Sequence, residues 1–193
     1  MLEKIQRKDV KITVVGMGYI GLPTSVTFAK AGFNVCGYDV NQDVINTLKS
    51  GKIHIKEPDL QQAFEEVMSS GKLVPVEKLR YSDVFIICVP TPFKENHEKR
   101  IADLSFVENA SKSIAPFVAP GNLVILESTV PPMTTDEIFG SIIERESGLR
   151  VNEDFFLAYC PERVLPGRIL YELTHNDRII GSSSVRAREI AES

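Results

Sequence analysis

Six runs of mostly apolar residues, each of strand length, recur along the chain at 12–15, 34–38, 84–89, 123–126, 155–158 and 178–180. They are near-continuously apolar instead of alternating, which is the pattern of strands buried on both faces of a parallel sheet. Between them, segments 22–31, 43–50, 60–69, 103–115 and 134–147 read as helices. The alternation of strand and helix predicts a doubly wound α/β sheet, mainly parallel, with helices on both faces. Local signals agree: Gly32 follows the first helix as a stop, and Thr134 with Glu137 makes a capping box just after Pro131 and Pro132. A last helix begins at Ser184, with Val185, Ile190 and Ala191 as its apolar members. Its pattern is expected to run on past Ser193, so that residues 1–193 form one domain at the N-terminal end of a longer protein.

Composition narrows the function. A chain of 193 residues can bury one full core, and 43% apolar with 25% charged residues excludes a fibre or a disordered tail. Twenty-two Lys and Arg against 26 Asp and Glu, with no block of like charge, leave no electrostatic footprint for nucleic acid or an anionic membrane. The expected partner is therefore a small molecule. The first twelve residues, MLEKIQRKDVKI, are too charged for a signal peptide, and the apolar runs are too short to span a bilayer, so a cytoplasmic protein with no membrane partner is expected. Cys36, Cys88 and Cys160 are far apart and make no CxxC pair, which argues against a disulfide framework or a structural zinc. His54, His97 and His175 are not spaced to share a metal, so no metal site is expected.

Four segments carry candidate chemistry. Gly16-Met17-Gly18-Tyr19-Ile20-Gly21 is a GxGxxG placed directly after a strand and before a helix. In that context Gly16 permits the tight turn, Gly18 lets a pyrophosphate approach the backbone, and Gly21 permits close packing of the helix. The next strand leads into Asp39, 23 residues after Gly16, where an acid can bond an adenosine ribose. A carboxylate there would repel a 2′-phosphate, and Val40-Asn41-Gln42 offers no Arg to hold one, so NAD is preferred to NADP. Val89-Pro90-Thr91-Pro92-Phe93 and Glu127-Ser128-Thr129-Val130-Pro131-Pro132 follow later strands. Ligands of open α/β sheets bind outside the carboxyl ends of strands, so Thr91, Ser128 and Thr129 are candidates to face a ligand. Their hydroxyls equally suit the capping of strand-end backbone groups.

The fourth segment, Tyr159-Cys160-Pro161-Glu162-Arg163-Val164-Leu165-Pro166-Gly167, presents an acid and a guanidinium on a loop stiffened by proline. Glu162 could act as a general base and Arg163 could bind phosphate or carboxylate; a solvated surface pair is the alternative. Cys160 has no base beside it in sequence and reads as a packed thiol. Glu57, in His54-Ile55-Lys56-Glu57, is a candidate to line the crevice.

Taken in order, GMGYIGLP, Asp39, IHIKEPDL, VPTPF, ESTVPP, YCPERVLPG and HNDRIIG resemble the UDP-glucose/GDP-mannose dehydrogenase family from about Lys11 to Gly181. The resemblance implies a Rossmann-type NAD-binding domain. It also implies oxidation of a sugar 6-hydroxymethyl to a carboxylate with two NAD, through a thiohemiacetal and a thioester on a cysteine. IHIKEPDL and YCPERVLPGRILYEL are similar to members acting on UDP-N-acetyl-D-mannosamine, which puts that sugar before UDP-glucose or UDP-N-acetylglucosamine. By motif, Gly16, Gly18, Tyr19, Ile20, Gly21, Asp39, Val89, Thr91, Ser128 and Thr129 would serve NAD. Arg163 and Val164 would contact the UDP-sugar, and Glu162 would be the acid that assists hydrolysis of the thioester. The family's catalytic Lys and its nucleophilic Cys, in a GGxCxxKD-like segment, are absent from this chain, so the chain alone is expected to be inactive. The complete enzyme is expected to be a homo-oligomer. A non-catalytic domain that senses NAD is the rival from another class.

Overall fold

The computed structural model describes residues 1–94 and 100–193; His97 lies outside them. Six strands, β1 (Lys11–Val15), β2 (Asn34–Tyr38), β3 (Leu73–Val76), β4 (Val84–Ile87), β5 (Leu123–Leu126) and β6 (Phe156–Tyr159), form one sheet in the order β3-β2-β1-β4-β5-β6. Every neighbouring pair is parallel, with Ile12 of β1 opposite both Val35 of β2 and Val84 of β4. All six carboxyl ends therefore finish along one edge. The order reverses between β1 and β4, the place where such sheets open a crevice.

The helices are α1 (Leu2–Gln6), α2 (Gly21–Lys30), α3 (Gln42–Lys49), α4 (Leu60–Ser69), α5 (Ser105–Ile114), α6 (Ser141–Ser147), α7 (Ile169–His175) and α8 (Val185–Glu192). Two apolar layers hold them to the sheet. On one face Ile12, Val14, Val35, Ile86 and Ala158 pack with Leu22 and Val26 of α2, Phe64 of α4 and Ile190 of α8. On the other, Val15, Phe85, Ile87 and Val124 pack with Val107 and Ile114 of α5 and Ile143 of α6. Strands with apolar residues on both faces follow directly from this sandwiching. No helix among the described residues is long and apolar enough to cross a membrane.

Several expectations need correction. Residues 178–180 form no strand; the segment makes only an antiparallel bridge from Gly181 to Tyr159. The sixth strand is instead β3, whose Pro75 lacks an N–H. Such a residue is tolerated because β3 is the edge of the sheet and pairs on one side only. The strand expected over 84–89 ends at Ile87, and the one over 155–158 runs one residue later. The helix over 134–147 opens as a π-helix, Thr134–Gly140, before α6, and its N-cap is Met133, with no side-chain cap bond. Met133, at φ 67°, turns the chain there, and Thr134 is buried instead of capping. Helices α1 and α7 were not expected.

Two termini follow the sequence closely. The Ser184 hydroxyl accepts from the Ala187 N–H at 3.3 Å and caps α8. Gly32, at φ 101°, closes α2: its N–H bonds the Ala29 carbonyl, and the Phe33 N–H reaches back to Phe28. Gly32→Ala is expected to lower stability by about 1 kcal/mol or more, because a Cβ is strained at this φ. Urea unfolding checks it, and an unchanged midpoint would contradict the role.

Candidate functional site

Five segments leave the carboxyl ends of their strands at one edge, and hydrogen bonds knit them together. The glycine loop follows β1. Gly16 takes φ 92° and donates to the Tyr38 carbonyl at 2.8 Å; a Cβ there would stand 2.5 Å from the Cys88 carbonyl oxygen. A Cβ on Gly21 would stand 1.7 Å from the Gly16 carbonyl oxygen and 3.1 Å from Cys88 Cβ. Both glycines thus let α2 begin against the ends of β1 and β4. Gly18 differs, since nothing lies within 4 Å of its missing Cβ. The N–H groups of Gly18, Tyr19 and Ile20 have no partner among the described residues. Open space beside free N–H groups at a helix start is what a pyrophosphate needs. One contact was not foreseen: Gly37 of β2 leaves room for the fully buried Met17, whose Cε would lie 2.5 Å from a Cβ at that position.

Asp39 stands just past the end of β2 and is already engaged with backbone. Its Oδ2 accepts from the Met17 N–H at 2.7 Å and its Oδ1 from the Asn41 N–H at 2.8 Å, so it fixes the glycine loop from the side. Each oxygen keeps a lone pair for a ribose hydroxyl. The half-exposed Tyr19 points its hydroxyl to the Lys56 carbonyl at 3.4 Å, joining the loop to the segment before α4.

The ends of β4 and β5 are latched to each other. Thr91 donates its hydroxyl to the Thr129 carbonyl at 2.7 Å, and Ser128 donates to the Val89 carbonyl at 2.7 Å. Ser128 is buried, whereas Thr129 is exposed. The hydroxyls of Thr91 and Ser128 therefore shape the crevice wall, and the exposed Thr129 is the freer of the three to meet a ligand.

After β6 the chain turns through Pro161. Glu162 Oε1 accepts from the N–H groups of Arg163 at 2.6 Å and Val164 at 2.8 Å, and its Oε2 lies 3.4 Å from Arg178 Nη1. The Arg163 side chain is exposed. Beneath this loop sits a polar knot that local sequence could not reveal. Glu127, 3% exposed, pairs with Arg178 Nη2, and its Oε2 accepts from Cys88 Sγ at 3.1 Å and Thr24 Oγ1 at 3.2 Å. Arg178 also reaches Cys160 Sγ at 3.3 Å. Arg178 falls in a run whose sequence predicts a strand, yet its guanidinium links the ends of β5 and β6 while Glu127 carries the chain of contacts on to α2.

Burial pushes the Glu127 carboxyl up from the ordinary carboxylate range, with Arg178 pulling it back. Burial, opposed by Arg178, likewise raises the Cys160 thiol, and burial with the neighbouring Glu127 carboxylate raises Cys88 well above its usual value. Both sulfurs are thus held as thiols, poor nucleophiles.

Residues 10–193 match the NAD-binding domain of the UDP-glucose/GDP-mannose dehydrogenase family. The UDP-N-acetyl-D-mannosamine dehydrogenase of Pyrococcus horikoshii is 46% identical over 186 residues, covering 95% of this chain and 43% of that protein. The structure of the UDP-N-acetyl-mannosamine dehydrogenase Cap5O from Staphylococcus aureus superposes with a TM-score of 0.90 at 50% identity, over 94% of this chain and 43% of that one. A ternary complex of GDP-mannose dehydrogenase from Pseudomonas aeruginosa gives 0.88 at 26% identity, over the same shares of the two chains. The chain thus spans less than half the length of these relatives.

Two outcomes test the site. Asp39→Ala removes a charged acceptor from the loop and from the ribose position, so NADH binding should weaken roughly tenfold to a hundredfold while NADPH is less strongly rejected. Calorimetric titration measures both, and unchanged affinities would remove Asp39 from the ribose. Arg178→Met strips the buried Glu127 of its counter-charge, which should cost roughly 3–5 kcal/mol near neutral pH. Glu127 in that variant holds a proton more readily folded than unfolded, so stability should fall as pH rises. Urea unfolding at acid and neutral pH checks the slope, which Glu127→Gln in the same background should flatten. A loss independent of pH would contradict the pairing.

Proposed function

Because this chain belongs to the UDP-glucose/GDP-mannose dehydrogenase family, we propose that it is the N-terminal, NAD-binding domain of a UDP-sugar 6-dehydrogenase whose substrate is UDP-N-acetyl-D-mannosamine. The observation that carries this reading is the open cradle at Gly18, flanked by unpartnered N–H groups and by Asp39, at the switch point of the sheet. The mannosamine assignment draws on relatives of that printed name at 40–46% identity. The overall reaction joins one water to a primary alcohol, yields a carboxylate and three protons, and passes two hydrides to two NAD. NAD, when bound, supplies the hydride acceptor.

The residues of this chain bind, orient and move protons. The Gly18, Tyr19 and Ile20 N–H groups receive the pyrophosphate, and Asp39 receives the adenosine ribose while excluding a 2′-phosphate. Thr91, Ser128 and Val89 hold the crevice wall that Thr129 completes. Arg163 and Val164 present the loop that meets the nucleotide sugar. Glu162 Oε1 is committed to its own loop; Oε2, with only the longer approach of Arg178, is the oxygen free to take a proton from the hydrolytic water. The nucleophilic cysteine and its lysine belong to the remainder of the enzyme, as do most contacts to UDP and the surfaces of a cytoplasmic homo-oligomer.

In the intact enzyme, kcat/KM should be at least roughly tenfold higher for UDP-N-acetyl-D-mannosamine than for UDP-glucose, about the discrimination that differing pocket contacts supply. Equal turnover on UDP-glucose would sink the assignment of the sugar. Glu162→Gln should lower kcat roughly 10²-fold or more with NADH affinity unchanged; undiminished turnover would remove Glu162 from the chemistry.

A further inference from the structure

Glu57 carries a buried carboxylate, 8% exposed, with no ion pair among the described residues. Its charge is met by backbone. Oε2 accepts from the Gly167 N–H at 2.8 Å and Oε1 from the Ile169 N–H at 2.7 Å, across 110 and 112 residues of chain. Those two N–H groups lie where the loop after β6 becomes α7. Earlier in the same loop the Arg163 and Val164 N–H groups go to Glu162, and the Leu165 N–H goes to Glu172 at 2.8 Å. Glu162 and Glu172 belong to the loop and its helix. Glu57 comes from the opposite half of the sheet, from the segment whose Lys56 carbonyl meets Tyr19 of the glycine loop.

We propose that Glu57 is a positioning residue: it holds the loop that binds the sugar nucleotide in register with the glycine loop that binds the dinucleotide. The proposal rests on the reading of residues 161–168 as the substrate loop. A carboxylate accepting two short bonds is the strong form of this contact, and its burial makes it intolerant of loss. Glutamine keeps the size and one acceptor oxygen, but its amide nitrogen cannot accept the second N–H; alanine removes both. The effect should therefore fall on the sugar nucleotide and not on NAD, with glutamine intermediate.

The test compares the intact enzyme with Glu57→Gln and Glu57→Ala, after circular dichroism has shown each to be folded. KM for UDP-N-acetyl-D-mannosamine should rise roughly tenfold in the alanine variant and less in the glutamine one, with calorimetric NADH affinity within about twofold of the unaltered enzyme. Amide hydrogen exchange should quicken at 163–169 and not at 16–21. If Glu57→Ala does not fold, Glu57→Gln carries the comparison. Unchanged KM in a folded variant, or equal losses for the sugar nucleotide and NADH, would overturn the proposal while leaving the functional reading intact. Failure of the unaltered enzyme to oxidise any UDP-sugar would overturn the functional reading and this proposal with it.

Discussion

The crevice exists because two glycines let three pieces of backbone come closer than any side chain allows. Gly21 opens α2 against the carbonyl of Gly16, and both lie against Cys88 at the end of β4. A methyl group at either position would occupy backbone already there. With that contact made, α2 starts at the point where the strand order reverses, and the residues that lead into it, Gly18, Tyr19 and Ile20, keep N–H groups without a partner among the described residues. Gly18, by contrast, faces open space. Three glycines in one motif thus serve two different ends, close packing below and access above.

Around this contact, order in the loops comes from carboxylates accepting backbone N–H groups. Asp39 holds Met17 and Asn41, Glu162 holds Arg163 and Val164, Glu172 holds Leu165, and Glu57 holds Gly167 and Ile169. Glu127 is the exception, held by side chains: Arg178, Cys88 and Thr24. Bonds to a charged acceptor are stronger than neutral ones and keep loops in place without regular structure. Asp39 and Glu162, the acids proposed to meet ligands, therefore already have a structural duty: each holds its own loop through backbone N–H groups.

Much of this was legible because the strongest signals are local. Strands buried on both faces are apolar throughout, so five of the six could be read directly, and the GxGxxG, Asp39 and the cap at Ser184 lie within short stretches whose geometry their residues dictate. β3 was missed because Leu73-Val74-Pro75-Val76 is four residues with a proline, a pattern that only an edge position permits. The pair Ile179 and Ile180 resembled a strand, but the segment follows α7 and bridges β6 only at Gly181. The Thr134–Glu137 box yielded to the turn at Met133 and the burial of Thr134. Glu57 stands out locally as a crevice candidate, but nothing local reveals the partners of Arg178 and Glu57, which lie 51 and more than a hundred residues away.

We propose that the dinucleotide lies across the ends of β1, β2 and β4 with its pyrophosphate at Gly18. Backbone amide shifts of the folded chain, followed while NADH is added, address it most directly. Saturable changes concentrated at residues 17–21 and 39–41 are expected. Changes centred elsewhere, or none in a folded sample, would contradict it.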